Sequence, residues 1–246
     1  MFARATGADL GEAEHDLGAY ESLGDLFARR LRPGARSIDG DARAVVSPCD
    51  GVVAAVGHAD AGELVQAKGH RYTLGELLVD DALAAQLIGG AYVTIYLSPR
   101  DYHRVHTPID GALVGYDYVP GALWPVNPRV VDRRARLLSR NERVVFALDG
   151  GALGPVALVM VGAAGVGNIR LAHLPQASAD SRSWRPLAER RHIEHHADVA
   201  RGDELGAFRL GSTVVLVFAP GAVSIDVAVG DRVEMGRRIG TRGGRS

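Results

Sequence analysis

SPCDGVVAAVG (47–57) and TPIDGALVGYD (107–117) open alike, with a Pro-x-Asp-Gly turn followed at once by an apolar strand-like run. Asp-Gly is common turn chemistry and recurs at Asp149-Gly150, so the dipeptide alone is weak evidence. The longer repeat predicts that two related turns occupy equivalent places. Outward from them, similar runs recur between Gly and Pro punctuation: AVVSP, AYVTIYL, RVVFAL, PVALVMVGAAGVG, STVVLVF and AVSIDVAVG. That pattern predicts an α+β but β-dominated fold, a barrel- or sandwich-like core with Pro-x-Asp-Gly hairpins and a few short helices.

AVSIDVAVGDRVEMGRRIG (222–240) alternates and then turns at Gly230-Asp231, as a hairpin does. Two stretches read as helical. GAYESLGDLFARRL (18–31) spaces Leu23, Leu26, Phe27 and Leu31 on one face before Pro33-Gly34 stops it, and TLGELLVDDALAAQL (73–87) starts with Thr73 as N-cap and Glu76 as its capping-box partner. Residues 176–206 are polar and His-rich and read as a loop or a poorly packed excursion.

The 246 residues, 47% of them hydrophobic, suffice for a substantial core. With 28 basic against 29 acidic residues there is no global charge that argues for nucleic acid or another polyanion. Lys68 is the single lysine, so the positive charge is nearly all arginine; the cluster Arg29, Arg30, Arg32 and Arg36 reads either as a solvated face or as a surface for anionic head groups. Cys49 is the single cysteine, which rules out an internal disulfide, and its neighbours suggest a packed small residue. Acids in the first residues and the lack of a long apolar run predict neither an export signal nor a membrane-spanning helix.

The densest chemistry lies in AYVTIYLSPRDYHRVHTPIDG (91–111). Residues 91–97 read as a strand, Ser98 as a cap, Pro99 as a first helical position and Pro108 as a stop, so His103 and His106 fall in one short turn beyond a strand end. Such a pair can be half a metal site, a general base or ordinary packing. Metal is disfavoured: no thiolate pair or third strong ligand accompanies the pair, and Glu194-His195-His196 lies in the looser segment. Asp50 is either a turn former or a carboxylate that fixes a histidine tautomer. Gly211-Ser212-Thr213 is a turn at the mouth of VVLVF or a nucleophile, but it is not the Gly-x-Ser-x-Gly elbow of the common hydrolases.

Taken together and in order, SPCDG, YHRVHTP and LGST resemble the phosphatidylserine decarboxylase family, from LGDLFARRLRPGARSID through VMVGAAGVGNIRL (159–171) to the C-terminus, over roughly residues 20–240. The resemblance implies a proenzyme that breaks its own Gly211–Ser212 bond and turns Ser212 into a pyruvoyl cofactor. It makes Asp50, His106 and Ser212 a charge-relay triad for that cut, and His103 a residue near the substrate and candidate proton donor. Those residue types suit the chemistry. Ser212 Oγ would attack the Gly211 carbonyl as His106, oriented by Asp50, takes its proton; glycine offers no side chain to block the approach. Loss of the Ser212 α-proton would then expel the Gly211 carboxylate, leaving dehydroalanine, which hydrolyses through an imine to the ketone and ammonia. The implied reaction takes phosphatidylserine to phosphatidylethanolamine and CO2 through a Schiff base on that ketone.

Further expectations follow from the resemblance: an entry segment over 1–36 and one catalytic domain over 37–246, a homodimer of two-chain protomers, and a peripheral place on the cytoplasmic side of the cell membrane. The helix at 18–31, with Leu23, Phe27 and the arginines, is a candidate interfacial anchor on an anionic membrane surface; the other reading packs Leu23 and Phe27 on the core. Two rival functions remain: a pyruvoyl decarboxylase for another serine-headed lipid or an amino acid, and a non-catalytic, hairpin-rich carrier-like module.

Overall fold

Val-rich and aromatic runs bounded by Gly and Pro do form strands in the computed structural model, which describes residues 7–67, 70–163, 169–172, 190–209 and 212–243. Helix α1 (Leu23–Phe27) precedes β1 (Ala44–Val46), β2 (Gly51–His58), β3 (Glu63–Ala67) and β4 (His70–Thr73). Helices α2 (Leu74–Leu78) and α3 (Asp81–Leu87) lead to β5 (Ala91–Leu97), β6 (Arg104–His106) and β7 (Gly111–Val119). After α4 (Pro128–Val131) and α5 (Leu137–Arg140) come β8 (Arg143–Asp149), β9 (Pro155–Gly162), β10 (Ile169–Leu171) and β11 (Arg191–Val199). The chain ends with β12 (Glu204–Phe208), β13 (Ser212–Phe218), β14 (Val223–Ile225), β15 (Arg232–Val233) and β16 (Arg238–Arg242).

An eight-stranded antiparallel sheet, in the order β11-β7-β8-β9-β13-β5-β2-β15, carries on one face two three-stranded sheets, β1-β16-β14 and β10-β12-β6. The large sheet has two different edge strands, so it is an open layer of a sandwich and not a closed barrel. Alternating residues of β13 explain the layering. Val214, Leu216 and Phe218 meet Val45, Val105, Leu205, Phe208 and Ile239 of the small sheets, while Val215 and Val217 meet Leu77, Leu87 and Leu138 of the helices on the other face. All seven residues of β13 are buried, and beyond the polar Ser212 and Thr213 the strand is an unbroken apolar run over Val214, Val215, Leu216, Val217 and Phe218.

The repeat noticed in the sequence is a pseudo-two-fold axis of the whole sandwich. Ala44, Val45 and Val46 of β1 face Thr241, Gly240 and Arg238, and Arg104, Val105 and His106 of β6 face Ala207, Gly206 and Glu204, with the register slipping at the same step. Gly51 and Val52 face Val233 and Arg232 as Gly111 and Ala112 face Val199 and Asp198. The two Pro-x-Asp-Gly turns bond to each other reciprocally: Val46 N–H donates to Pro108 O at 3.0 Å and His106 N–H to Pro48 O at 2.8 Å. Each turn carries the chain from a small sheet into the large one, so both are corners between layers. Their glycines serve close approach, since a Cβ at Gly51 would lie 2.5 Å from Tyr96 O and one at Gly111 2.1 Å from Asp149 O.

Several sequence expectations change. The 18–31 helix shrinks to the five residues of α1, capped by Ser22, because Arg104 Nε takes the carbonyls of Ala28 (2.9 Å) and Arg29 (3.3 Å) and the chain leaves the helical path. Its apolar face packs inward: Phe27 is 1% exposed, whereas Leu23 stays outside. The arginine cluster is not one solvated face, since Arg29 is buried and Arg36 lies between Glu12 and Asp50. The 73–87 stretch forms two helices, with the Thr73–Glu76 capping box intact and a left-handed Val79 (φ 51) breaking them before Asp80 caps the second. No helix starts at Ser98; a turn replaces it, and His106 belongs to strand β6. The described part of 176–206 is largely strand, β11 and β12, while 173–189 lie outside the described residues. A turn does form at Ala228–Asp231, but β14 pairs with β16 and β15 with β2, so the flanking strands belong to different sheets.

Candidate active site

β5 ends at Leu97, and the next residues form a turn organised by Asp101. Its carboxylate accepts from Ser98 N (2.7 Å), Ser98 Oγ (2.6 Å) and Arg232 Nη2 (2.7 Å). Burial pushes the Asp101 pKa up, but the Ser98 and Arg232 bonds outweigh it and hold the carboxyl below the usual range. The Asp101 backbone carbonyl accepts His103 Nδ1–H at 2.8 Å, which fixes that tautomer and leaves Nε2 as the lone-pair nitrogen. His103 is fully buried, edge-on to Phe27 with ring centroids 4.9 Å apart, and Nε2 has no partner among the described residues. Burial is the chief reason its pKa falls to about 4. At neutral pH His103 is an uncharged base with a free lone pair.

His106, at the end of β6, is held differently. Its Nδ1 lies 2.8 Å from Gly202 O and must carry the proton, so Nε2 accepts from Tyr102 Oη at 3.1 Å. Burial lowers its pKa, only partly offset by the Gly202 bond. Asp50 makes no hydrogen bond to His106. Arg36 grips it with a two-pronged contact, Nε to Oδ1 at 3.0 Å and Nη2 to Oδ2 at 2.5 Å, and Met235 N–H adds a third bond at 2.9 Å. Arg36 also reaches both carboxylate oxygens of Glu12 at 3.0 Å. Asp50 still bears on the histidines through space, its charge favouring the protonated form of both.

Ser212 opens β13 between Leu97 of β5 and Gly162 of β9. Its Oγ is wholly buried and has no partner among the described residues. Gly211 and Leu210 lie outside the described residues, so the proposed scissile bond is described only from its serine side. Cys49, beside Asp50, is buried and burial pushes its thiol pKa up, in keeping with a packing role. A polar cleft of about 370 Å3 opens over this region, lined by Glu12, Arg29, Arg36, Asp50, Asp101 and Arg232 among others. Among the described residues no three His, Cys, Asp or Glu side chains converge as metal ligands.

A sequence profile of the family described as phosphatidylserine decarboxylase matches residues 23–241. This chain belongs to the phosphatidylserine decarboxylase family. A relative from Anaeromyxobacter sp. (strain K) is 48% identical over 97% of this chain and 84% of its own length. One from Myxococcus xanthus (strain DK1622) is 44% identical over 97% and 84%, and one from Acidovorax ebreus (strain TPSY) 45% over 90% and 77%. All three are named phosphatidylserine decarboxylase proenzyme.

Within this family member, the structure brings Asp50 and both histidines around two joined corners, with His103 and His106 separated in role by their carbonyl partners. It does not join Asp50 to His106, nor either histidine to Ser212, by a hydrogen bond. The residues that organise the site and were not read as site residues are Asp101, Tyr102, Arg232 and Arg36, the last placed by the sequence only in an arginine cluster. Ser98-x-x-Asp101 was a legible local turn signal; Arg36 and Arg232 meet their carboxylates across the fold and left no pattern to read.

Proposed function

We propose that this chain cuts itself between Gly211 and Ser212 and then, with a pyruvoyl group made from Ser212, decarboxylates phosphatidylserine to phosphatidylethanolamine. The observation that carries the reading is the buried Ser212 hydroxyl at the head of β13, which has no partner among the described residues. Such a hydroxyl costs about 1–3 kcal/mol, and conversion of Ser212 to pyruvoyl would remove it; the residues present therefore fit the group. When formed, that ketone would supply an electron sink for the pair left behind by departing CO2.

The chain's own residues have separable tasks. His106 Nε2 would accept the Ser212 hydroxyl proton after exchanging its Tyr102 partner, with Gly202 O holding the ring and the Asp50 charge stabilising the imidazolium. His103, buried and neutral at Nε2, would take up a proton from solvent there once an anionic head group favours its charged form, and pass that proton to the substrate carbon, returning to the neutral base. Asp101 and Arg232 keep its turn in place. For a lipid substrate we place the protein on an anionic membrane surface, peripherally and on the cytoplasmic side, and expect a homodimer.

Intact mass measurement tests the cut. Wild-type protein should give residues 1–211 and a fragment 212–246 with a blocked N-terminus, while Ser212→Ala and His106→Ala remain single chains. An uncut wild-type chain in natively folded protein would overturn the reading. Comparison of turnover of phosphatidylserine with free serine then tests the substrate.

A further inference from the structure

On the face of the large sheet opposite the Ser212 hydroxyl lies an apolar cavity of about 240 Å3, lined by Val52, Val126, Val131, Leu138, Tyr96 and Thr213 among others. Thr213, Tyr96, Val52 and Arg232 are direct cross-strand partners in one row, so their side chains share that face. The row begins one residue from Ser212 and ends at the arginine that holds Asp101 in the polar cleft. A polar cleft and an apolar cavity thus flank the same strand ends, as an amphiphilic substrate requires.

The roof of the cavity is residues 121–140, and it is fastened rather than draped. Gln66, 1% exposed, donates to Val131 O (2.9 Å) and Arg134 O (2.7 Å) and accepts from Leu137 N (2.7 Å). Asn141 donates to Trp124 O at 2.8 Å and to Gly162 O at 2.9 Å, and Gly162 is the cross-strand partner of Ser212. Held this way, Trp124 is 42% exposed with Arg134 stacked over its ring, and Val229 of the cavity wall is 62% exposed. Arg129, Arg133 and Arg140 are exposed on the same segment and have no carboxylate partner among the described residues. An outward tryptophan among exposed arginines, three of them without a carboxylate partner among the described residues, is the composition of a surface that meets anionic lipid.

We propose that this cavity is the subsite for an acyl chain of the lipid substrate and that the Trp124 and arginine rim is where the protein meets the bilayer. The proposal rests on the lipid decarboxylase reading and moves the membrane contact away from α1, whose Phe27 is buried. Each methylene seated there should tighten binding about fourfold until the cavity is full.

Calorimetry on the self-cleaved protein tests it with two reversible product ligands, glycerophosphoethanolamine and dihexanoyl phosphatidylethanolamine. Val131→Trp should weaken the dihexanoyl ligand at least tenfold and leave glycerophosphoethanolamine unchanged; Ala54→Leu, a milder filling of the same cavity, should act in the same direction if Val131→Trp fails to fold. Equal binding of both ligands, or equal loss of both in the variants, overturns the acyl subsite while the decarboxylase reading stands. Failure of wild type to bind either ligand overturns both. In Trp184→Phe protein, the remaining Trp124 fluorescence should be quenched by bromine-labelled lipid in phosphatidylglycerol vesicles, and Arg129→Glu with Arg133→Glu should abolish it. Unquenched Trp124 on vesicles that bind the protein overturns the rim.

Discussion

The burial of His103 should appear as acid sensitivity of the fold. Its ordinary value of 6.5 drops to about 4 inside the protein, chiefly through desolvation. The folded chain therefore binds fewer protons than the unfolded chain between those values. The stability that a neutral His103 permits is fully present above about pH 6.5, is lost as pH falls toward 4, and falls no further below that. Linkage places the loss between pH 7 and pH 5 at about 2 kcal/mol. The perturbation is His103→Gln, which keeps a donor for the Asp101 carbonyl and removes the titration, made in Ser212→Ala protein so that every molecule is one chain. Urea unfolding across that pH range gives the free energies. His106, also depressed by burial, titrates in both proteins and cancels in the difference. The parent should lose about 2 kcal/mol more than the variant; parallel pH slopes would refute the assignment of a buried, neutral His103.

Three more outcomes follow from the geometry. Arg36→Met leaves Asp50, 4% exposed, without its guanidinium partner and should destabilise by about 3–5 kcal/mol in urea, with Asp50→Asn recovering part of the loss. Gly111→Ala sets a methyl 2.1 Å from Asp149 O and should cost about 3 kcal/mol or more, whereas Gly40→Ala, with nothing within 4 Å, should stay within about 0.5. As the proposed base for self-cleavage His106 must be neutral, and burial lowers its pKa from 6.5, so the cleavage rate in a cell-free synthesis should stay flat down to about that pH and fall only below it. A midpoint above it would contradict His106 as the base.

What could be read from the sequence is what is local. The Thr73–Glu76 capping box joins groups three residues apart and formed as read. The Pro-x-Asp-Gly repeat was legible because equivalent corners need the same turn chemistry, and the registers on either side confirm the equivalence. β11 was missed because it is an edge strand, exposed on alternate residues, and its sequence RHIEHHADV is mostly polar; the alternation of Ile193, Ala197 and Val199 was the signal to weigh. The division of labour between His103 and His106 could not be read, since two backbone carbonyls decide it, one of them Gly202 from the far side of the chain.

The pseudo-symmetry also separates scaffold from chemistry. Asp110 accepts Arg201 N–H at 2.9 Å as Asp50 accepts Met235 N–H at 2.9 Å, so the corner alone accounts for an aspartate in both repeats. Only Asp50 is buried and gripped by an arginine fork. Val46 stands where His106 stands in the other repeat, and Gly154 stands where Ser212 does, since Pro155 faces Asp149 as Thr213 faces Tyr96. A symmetric frame thus bears one asymmetric site. The proposed cut falls where the chain leaves one repeat, whose strands β6 to β12 are consecutive, and re-enters the other at β13. It would sever that passage and leave every strand pairing within the completed repeat untouched. β13 itself stays clamped along its length by β5 and β9, while β16 is held by β1, β14 by β16 and β15 by β2. The fold can therefore lose this one peptide bond and keep the new N-terminus where the buried Ser212 began.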